Sequence, residues 1–331
     1  MSFYKEINLD KIYEARERIA PIINNTPLIQ SSILSTRWNK SISLKLENMQ
    51  PTGAFKIRGA ANAILSLSAK EKKKGVVTVS TGNHGKAIAY LGNKLGIKAV
   101  ICVSDLVPKV KIEAMRALGA EVVIVGKNQD EAEEYALQMA ENEGLSFISA
   151  FDDLKIIAGQ ATVALEILDK QPETDTMIVP LSGGGLMSGM AFTAKAINPK
   201  IKMIGVSNDT EPAMYKSLKA GKIVQVGEFE SLADALTGPI SQDNQYTFEM
   251  CKRYVDETLL ITEEEIGKSM AYALLKEKLV LEGGGAATIA TLLNKKLDIF
   301  GQNTVAVCSG NNVSMEVLLK LASKYREQLG N

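Results

Sequence analysis

The sequence predicts an α/β protein built of two parallel-sheet, three-layer lobes, and three observations support this. Short β-branched apolar runs alternate with longer helix-patterned segments along the chain, the signature of a parallel sheet covered by helices on both faces. The 331 residues exceed what one hydrophobic core organises, so two lobes are expected. No solenoid-length repeat, low-complexity tract or Ser/Pro-rich linker interrupts the pattern, so the lobes should be tightly joined.

In chain order, the charged N-terminal stretch "MSFYKEINLDKIYEARERIA" is helix-patterned and "SISLKLE" is a strand candidate. Further Val- and Ile-rich strand candidates are "VVTVS" (76–80), "KAVICV" (98–103), "EVVIVG" (121–126) and "SFISA" (146–150). "TMIVPLS" (176–182), "IKMIGVS" (201–207), "ETLLIT" (257–262) and "NTVAVCS" (303–309) complete the set, with helices filling most gaps. The strands between Gly75 and Ala150 make one compact unit. A smaller lobe of residues 71–150 is therefore expected to sit inside a larger one formed by 1–70 and 151–331, with "SISLKLE" completing the larger sheet.

Composition narrows the function classes. With 46% hydrophobic and 23% charged residues, the chain is an ordinary folded globular protein. Lys plus Arg (38) balances Asp plus Glu (38), which speaks against a nucleic-acid partner. The basic run "AKEKKKG" (69–75) reads as a solvated helix end favoured by the dipole. Cys102, Cys251 and Cys308 lie far apart, which supports neither a disulfide framework nor a metal cluster and fits a reducing cytoplasm. The N-terminus lacks an apolar signal core and no run reaches bilayer length, so neither secretion nor membrane insertion is expected.

Ligands of open parallel sheets bind at the carboxyl ends of strands. "STGNHG" (80–85) offers hydroxyls, an amide, an imidazole and helix-start N–H groups, an anion-binding layout. Within it, His84 is the chain's only histidine, either functional or a packed structural residue, and its solitude removes any multi-histidine metal site. "SGGGLMSG" (182–189) is either a phosphate cradle or a plain glycine-rich turn, and the spaced dinucleotide fingerprint is not met. "CSGNN" (308–312) alone reads as a turn that presents the Ser309 hydroxyl. In "PTGAFKIRGA" (51–60), Lys56 sits between Phe55 and Ile57 at a helix start. Desolvation and the positive helix end would lower its pKa and make the amine a nucleophile; the alternative is a lysine snorkelling past its apolar neighbours.

Together, "TGAFKIRGA", "STGNHG", "SGGGLMSG" and "CSGNN" resemble, in order, the motifs of the pyridoxal-phosphate-dependent serine/threonine dehydratase and serine racemase family, the fold type II group with a tryptophan-synthase-β-like architecture. The resemblance spans Pro51 to Asn312. It implies pyridoxal 5'-phosphate as cofactor, with Lys56 forming the Schiff base and later moving the α-proton. It also implies Phe55 against the ring, Asn83 on the phenolic oxygen, backbone amides of Gly183, Gly184, Gly185 and Leu186 on the phosphate, and Ser309 facing the pyridine nitrogen. Ser80, Thr81, Gly82, Asn83 and His84 would grip the substrate carboxylate, and Glu282 would lie near the cofactor; from the residues alone, Glu282 equally reads as a helix N-terminal acid favoured by the dipole. The larger lobe would then bind the cofactor and the smaller one carry the substrate loop. A serine at the ring nitrogen holds positive charge less firmly than an acid, which favours loss of a β-leaving group over a long-lived carbanion. The implied activity is β-elimination of water from L-threonine or L-serine, giving a 2-oxo acid and ammonia, in a homodimer such as relatives form.

The chain also departs from the family pattern. Thr81 stands where racemases resemble it with a serine, so its hydroxyl is a candidate second proton carrier and racemase activity is the alternative. Ser207 and Ala213 replace acidic residues that hold a divalent cation in relatives, so no metal is expected. "ADAL" (233–236) replaces the commoner Ala-Asp-Gly beside the pocket and puts the usual small substrate in question. "STGNHGKA", "DNQYTF" (243–248) and "EGGGA" (282–286) resemble a subgroup of hydroxyectoine-utilisation dehydratases, which makes a hydroxyectoine-derived substrate a further alternative. Only one helix is expected after Asn312, so no regulatory domain is expected to follow. A nicotinamide-dependent dehydrogenase and a non-catalytic amino-acid-binding protein are the readings from other classes.

Overall fold

The computed structural model describes residues 6–227, 229–297 and 300–330. Strands β1 (Leu28–Gln30), β2 (Ser41–Lys45), β7 (Thr176–Pro180), β8 (Lys202–Asn208), β9 (Glu257–Ile261) and β10 (Asn303–Val307) form a six-stranded sheet in the order β1-β2-β10-β7-β8-β9. Strands β3 (Val76–Val79), β4 (Ala99–Val103), β5 (Glu121–Ile124) and β6 (Ser146–Phe147) form a four-stranded sheet in the order β5-β4-β3-β6. The pairings are parallel except at one edge, where Leu28 of β1 stands opposite Lys45 of β2 in an antiparallel register.

The alternating apolar runs explain these sheets. Every residue of "VVTV", "AVICV" and "TMIVP" is buried, as strands covered on both faces must be. On the larger sheet, α2 (Ser32–Trp38), α12 (Glu263–Tyr272), α13 (Gly283–Leu293) and α14 (Met315–Tyr325) pack with Ile42, Leu44, Ile178 and Ile204. On its other face, α8 (Leu154–Lys170), α9 (Gly185–Ile197), α10 (Ala213–Ala220) and α11 (Thr247–Tyr254) pack with Met177, Val179 and Val305. The smaller sheet lies between α3 (Lys56–Leu65), α5 (Asn83–Leu95) and α6 (Lys109–Ala117) on one face and α7 (Gln129–Glu143) on the other. Helices α1 (Leu9–Ile19) and α4 (Ala69–Lys74) complete the described α-helices, and Lys72 to Lys74 form the last turn of α4, as the dipole favours.

One strand expectation changes, and one strand was not expected. "SFISA" pairs only at Ser146 and Phe147, because residues 148–153 leave the smaller sheet as the crossover to α8. Strand β1 carries no periodic signal in its three residues and owes its place to β2 beside it.

Asn8, Ser68, Asn128, Asp153, Thr262 and Ser314 cap α1, α4, α7, α8, α12 and α14 with side-chain oxygens. The N-cap side chains of α3, α5, α9 and α13 make no such bond. Those four helices begin at Lys56, Asn83, Gly185 and Gly283, so their first N–H groups have no partner within the helix.

Candidate active site

At the start of α3, the Lys56 Nζ donates to the Ala150 carbonyl at 2.6 Å. The side chain is half-buried, and removal of water from around the amine pulls its pKa down from 10.5 to about 8. Its neighbour Phe55 has its ring centroid 5.6 Å from Nζ. The Phe55 N–H donates to the Ser309 carbonyl at 3.0 Å, and Ala54 forms a β-bridge with Gly310, so the lysine segment is stitched to the turn after β10.

That turn leads on to α13. Ser309 is buried and its Oγ donates to the Gly284 carbonyl at 3.1 Å, while the Glu282 N–H donates to the Gly310 carbonyl at 3.1 Å. A Cβ on Gly310 would stand 2.3 Å from Glu282 Oε1, so only glycine admits this carboxyl. Glu282 is buried and accepts from Asn83 Nδ2 at 2.7 Å and from the Asn312 N–H at 2.9 Å. Desolvation dominates and raises its pKa to about 7. Asn83 Oδ1 in turn accepts from Asn312 Nδ2, and Lys86 Nζ donates to Asn312 Oδ1. A lysine ammonium has no acceptor, which orients the Asn312 amide and through it the Asn83 amide.

The loop after β3 closes this circuit. Ser80, Thr81 and Asn83 are partly exposed and Gly82 is exposed, with the Gly82 N–H donating to Ser80 Oγ at 3.3 Å. A Cβ at Gly85 would fall 2.2 Å from the Ser80 carbonyl, which explains why the turn needs glycine there. His84 is buried, and its Nε2 lies 3.2 Å from the Ile148 carbonyl, leaving Nδ1 without a partner. Burial first and the Lys56 charge second push its pKa down to about 3, so the imidazole is neutral at physiological pH. Two residues beyond Ile148, Ala150 holds the amine again.

The glycine loop sits against the same crossover. A Cβ at Gly183 would come 2.6 Å from the Phe151 ring, and one at Gly185 would come 2.9 Å from the Phe151 carbonyl. Gly184 adopts φ +90°, a left-handed conformation that favours glycine. Leu186 is buried in the core beneath, in the first turn of α9. The structure thus brings Phe55, Lys56, the 80–84 loop, the 183–186 loop, Glu282 and Ser309 to one place. Segment 232–235 borders it, since a Cβ at Gly283 would meet the Leu232 carbonyl at 2.2 Å and one at Gly284 would meet the Ala235 Cβ at 3.3 Å. Ser207 and Ala213 lie at the end of β8 and the start of α10, and among the described residues no group of three metal-ligating side chains is found.

Sequence reasoning missed the crossover residues Ala150, Phe151 and Asp152, which carry no motif of their own, and Asn312 and Lys86, which lay inside quoted motifs without a role. It also missed the charge cluster that fastens α3. Arg58 donates to Glu47 at 2.7 Å and to Glu166 at 2.7 Å, while Lys45 pairs with Glu166, all in the interior. Two cations meet two carboxylates, so burial leaves no net charge. The spacing of "KIRG" places Arg58 two residues after Lys56, but its partners lie 11 and 108 positions away.

A family model described as pyridoxal-phosphate dependent enzyme matches residues 19–310. A protein of Sinorhizobium fredii with the provisional name threonine dehydratase is 45% identical over 315 residues, 95% of each chain. The L-threonine ammonia-lyase of Thermotoga maritima is 40% identical over 318 residues, covering 96% of this chain and 79% of the relative. The solved structure of maize serine racemase superposes with a TM-score of 0.88 at 32% identity, covering 98% of this chain and 99% of that one. The match extends along nearly the whole chain, and the chain belongs to the family of pyridoxal-phosphate dependent enzymes.

Proposed function

We propose that this chain is an ammonia-lyase that eliminates water from a β-hydroxy amino acid, L-threonine or L-serine, to give a 2-oxo acid and ammonia. The observation that carries this reading is the desolvated Lys56 amine, with a pKa of about 8, placed where the turn after β10, the crossover and α3 meet. Pyridoxal phosphate, when bound, supplies an aldehyde for an amine and an electron sink for the substrate α-carbon. The residues fit that group: an amine without a carboxylate partner, a glycine-rich helix start for a phosphate, and a neutral hydroxyl for a ring nitrogen.

In this reading Lys56 would hold the cofactor and would accept the substrate's α-proton, a task suited to an amine that is partly neutral near pH 8. Phe55 would lie against the ring, Gly183 to Leu186 would hold the phosphate through backbone N–H groups, and Ser309 would face the pyridine nitrogen. Asn83 would donate its second amide N–H to the ring's phenolic oxygen, and Glu282, which accepts the first, keeps the amide oriented. Ser80 to His84 receive the substrate carboxylate on hydroxyls and the N–H groups opening α5, without a charge from the neutral His84. Residues 71–150 act as the substrate-loop domain and 1–70 with 151–331 as the cofactor domain. A cytoplasmic homodimer completes the proposal; three buried free cysteines fit the reducing compartment, and the homodimer rests on the resemblance to the family.

Similarity to a serine racemase favours one second reading, in which the partly exposed Thr81 hydroxyl carries a proton to the opposite face of the α-carbon. Incubation with L-threonine and L-serine, scored for 2-oxo acid and for D-serine, separates the two. The elimination reading expects 2-oxo acid in excess; D-serine with negligible 2-oxo acid would reject it.

A further inference from the structure

Asp152, on the crossover between the sheets, spends its carboxylate on a distant segment. Its Oδ2 accepts from the Gln245 N–H at 2.6 Å, and its Oδ1 accepts from the N–H groups of Tyr246 at 3.0 Å and Thr247 at 2.9 Å. Thr247 opens α11, whose own N-cap, Tyr246, offers no capping side chain. The cap therefore comes from 93 to 95 positions earlier in the chain.

The clamped segment forms one wall of the glycine loop. A Cβ at Gly184 would lie 3.0 Å from Thr247 Cβ, and Ser188 Oγ, one turn into α9, donates to the Thr247 carbonyl at 3.3 Å. Asn244 locks the same turn, accepting from the Phe248 N–H at 2.9 Å and donating to Thr247 Oγ1 at 2.7 Å. The opposite wall is Phe151, whose ring and carbonyl pack on Gly183 and Gly185. Both walls of residues 183–186 thus hang from two consecutive crossover residues, and the residue before them, Ala150, holds the Lys56 amine.

We propose that Asp152 is a positioning residue for cofactor phosphate. By tying the 245–247 turn to the crossover, it sets the width of the glycine loop and its distance from Lys56. The inference rests on the reading of residues 183–186 as the phosphate seat. It adds a residue that touches neither cofactor nor substrate and acts through Thr247 and Phe151. A carboxylate that merely stabilised α11 would affect binding of every ligand alike; a carboxylate that shapes the loop affects only ligands with a phosphate.

The test strips the holoenzyme of cofactor and titrates it with pyridoxal 5'-phosphate and, separately, with pyridoxal, which has the aldehyde but no phosphate. In the wild type the phosphorylated form should bind far more tightly. Asp152→Asn keeps the shape but cannot accept from all of these N–H groups. Its dissociation constant for pyridoxal phosphate should rise about tenfold, while that for pyridoxal moves less than about twofold. Asn244→Ala, at a partly exposed position, should shift the same ratio in the same direction by a smaller factor. Equal losses for both ligands in either variant, or an unchanged constant for pyridoxal phosphate, would overturn the role of Asp152 while leaving the loop's assignment intact. A wild type that binds both ligands equally would overturn the loop's assignment and this inference together.

Discussion

The Lys56 ammonium meets a carbonyl and no carboxylate, so burying it works against its charge. Its folded-state pKa of about 8 lies below the ordinary 10.5, so between those values the unfolded chain binds more protons than the native one. Stability linked to this amine therefore rises with pH across that window, and below about 8 the charged amine is a full cost. Lys56→Met should accordingly raise the melting temperature of the cofactor-free protein at pH 7, and the gain should fade as pH approaches 10.5, while turnover falls about a thousandfold or more. A gain that grew with pH would contradict the assignment. Glu282 behaves oppositely: its acid, raised from 4.5 to about 7, favours the native state at low pH, and that contribution is lost as pH rises through 7. In Glu282→Gln the decline in melting temperature from pH 4.5 to 7 should shrink. One of the two donors, Asn83 Nδ2 or the Asn312 N–H, would then face an amide NH₂, and kcat/KM should drop about tenfold. Lysine and glutamate were both legible in the sequence because each sits in a short motif; the Asn312 and Lys86 amide chain was not, because it exists only once α5 and the turn after β10 meet.

Among the elements, α3 is held most unusually. Arg58 bridges Glu47 and Glu166 from within the helix, Thr162 accepts from the same guanidinium at 3.0 Å, and Lys45 of β2 completes the set. This joins β2, α3 and α8 two residues from the reactive amine. Removing the guanidinium leaves two buried carboxylates with one lysine. Arg58→Met should therefore cost about 3–5 kcal/mol by denaturant unfolding. A loss below about 1 kcal/mol would mean that the cluster is dispensable. The helices at the cleft were foreseeable from the glycines and the strand–loop–helix pattern. Arg58 was not, since an arginine in a helical pattern reads as solvated until its partners on other elements are known.

Across the whole molecule, the apolar runs predicted which strands share a sheet and that one sheet interrupts the other, because buried parallel strands are continuous hydrophobic stretches. What escaped was the crossover 148–153, which looks like the tail of a strand and instead links both sheets to the amine, the glycine loop and α11. The Ala150 carbonyl and the Asp152 carboxylate gain meaning only from partners 94 and 93 positions away. The central claim remains that a single amine, Lys56, holds the cofactor. Borohydride reduction of the holoenzyme followed by peptide mass analysis tests it most directly. The account predicts a pyridoxyl adduct on the peptide containing Lys56; an adduct on any other lysine, or none, would contradict it.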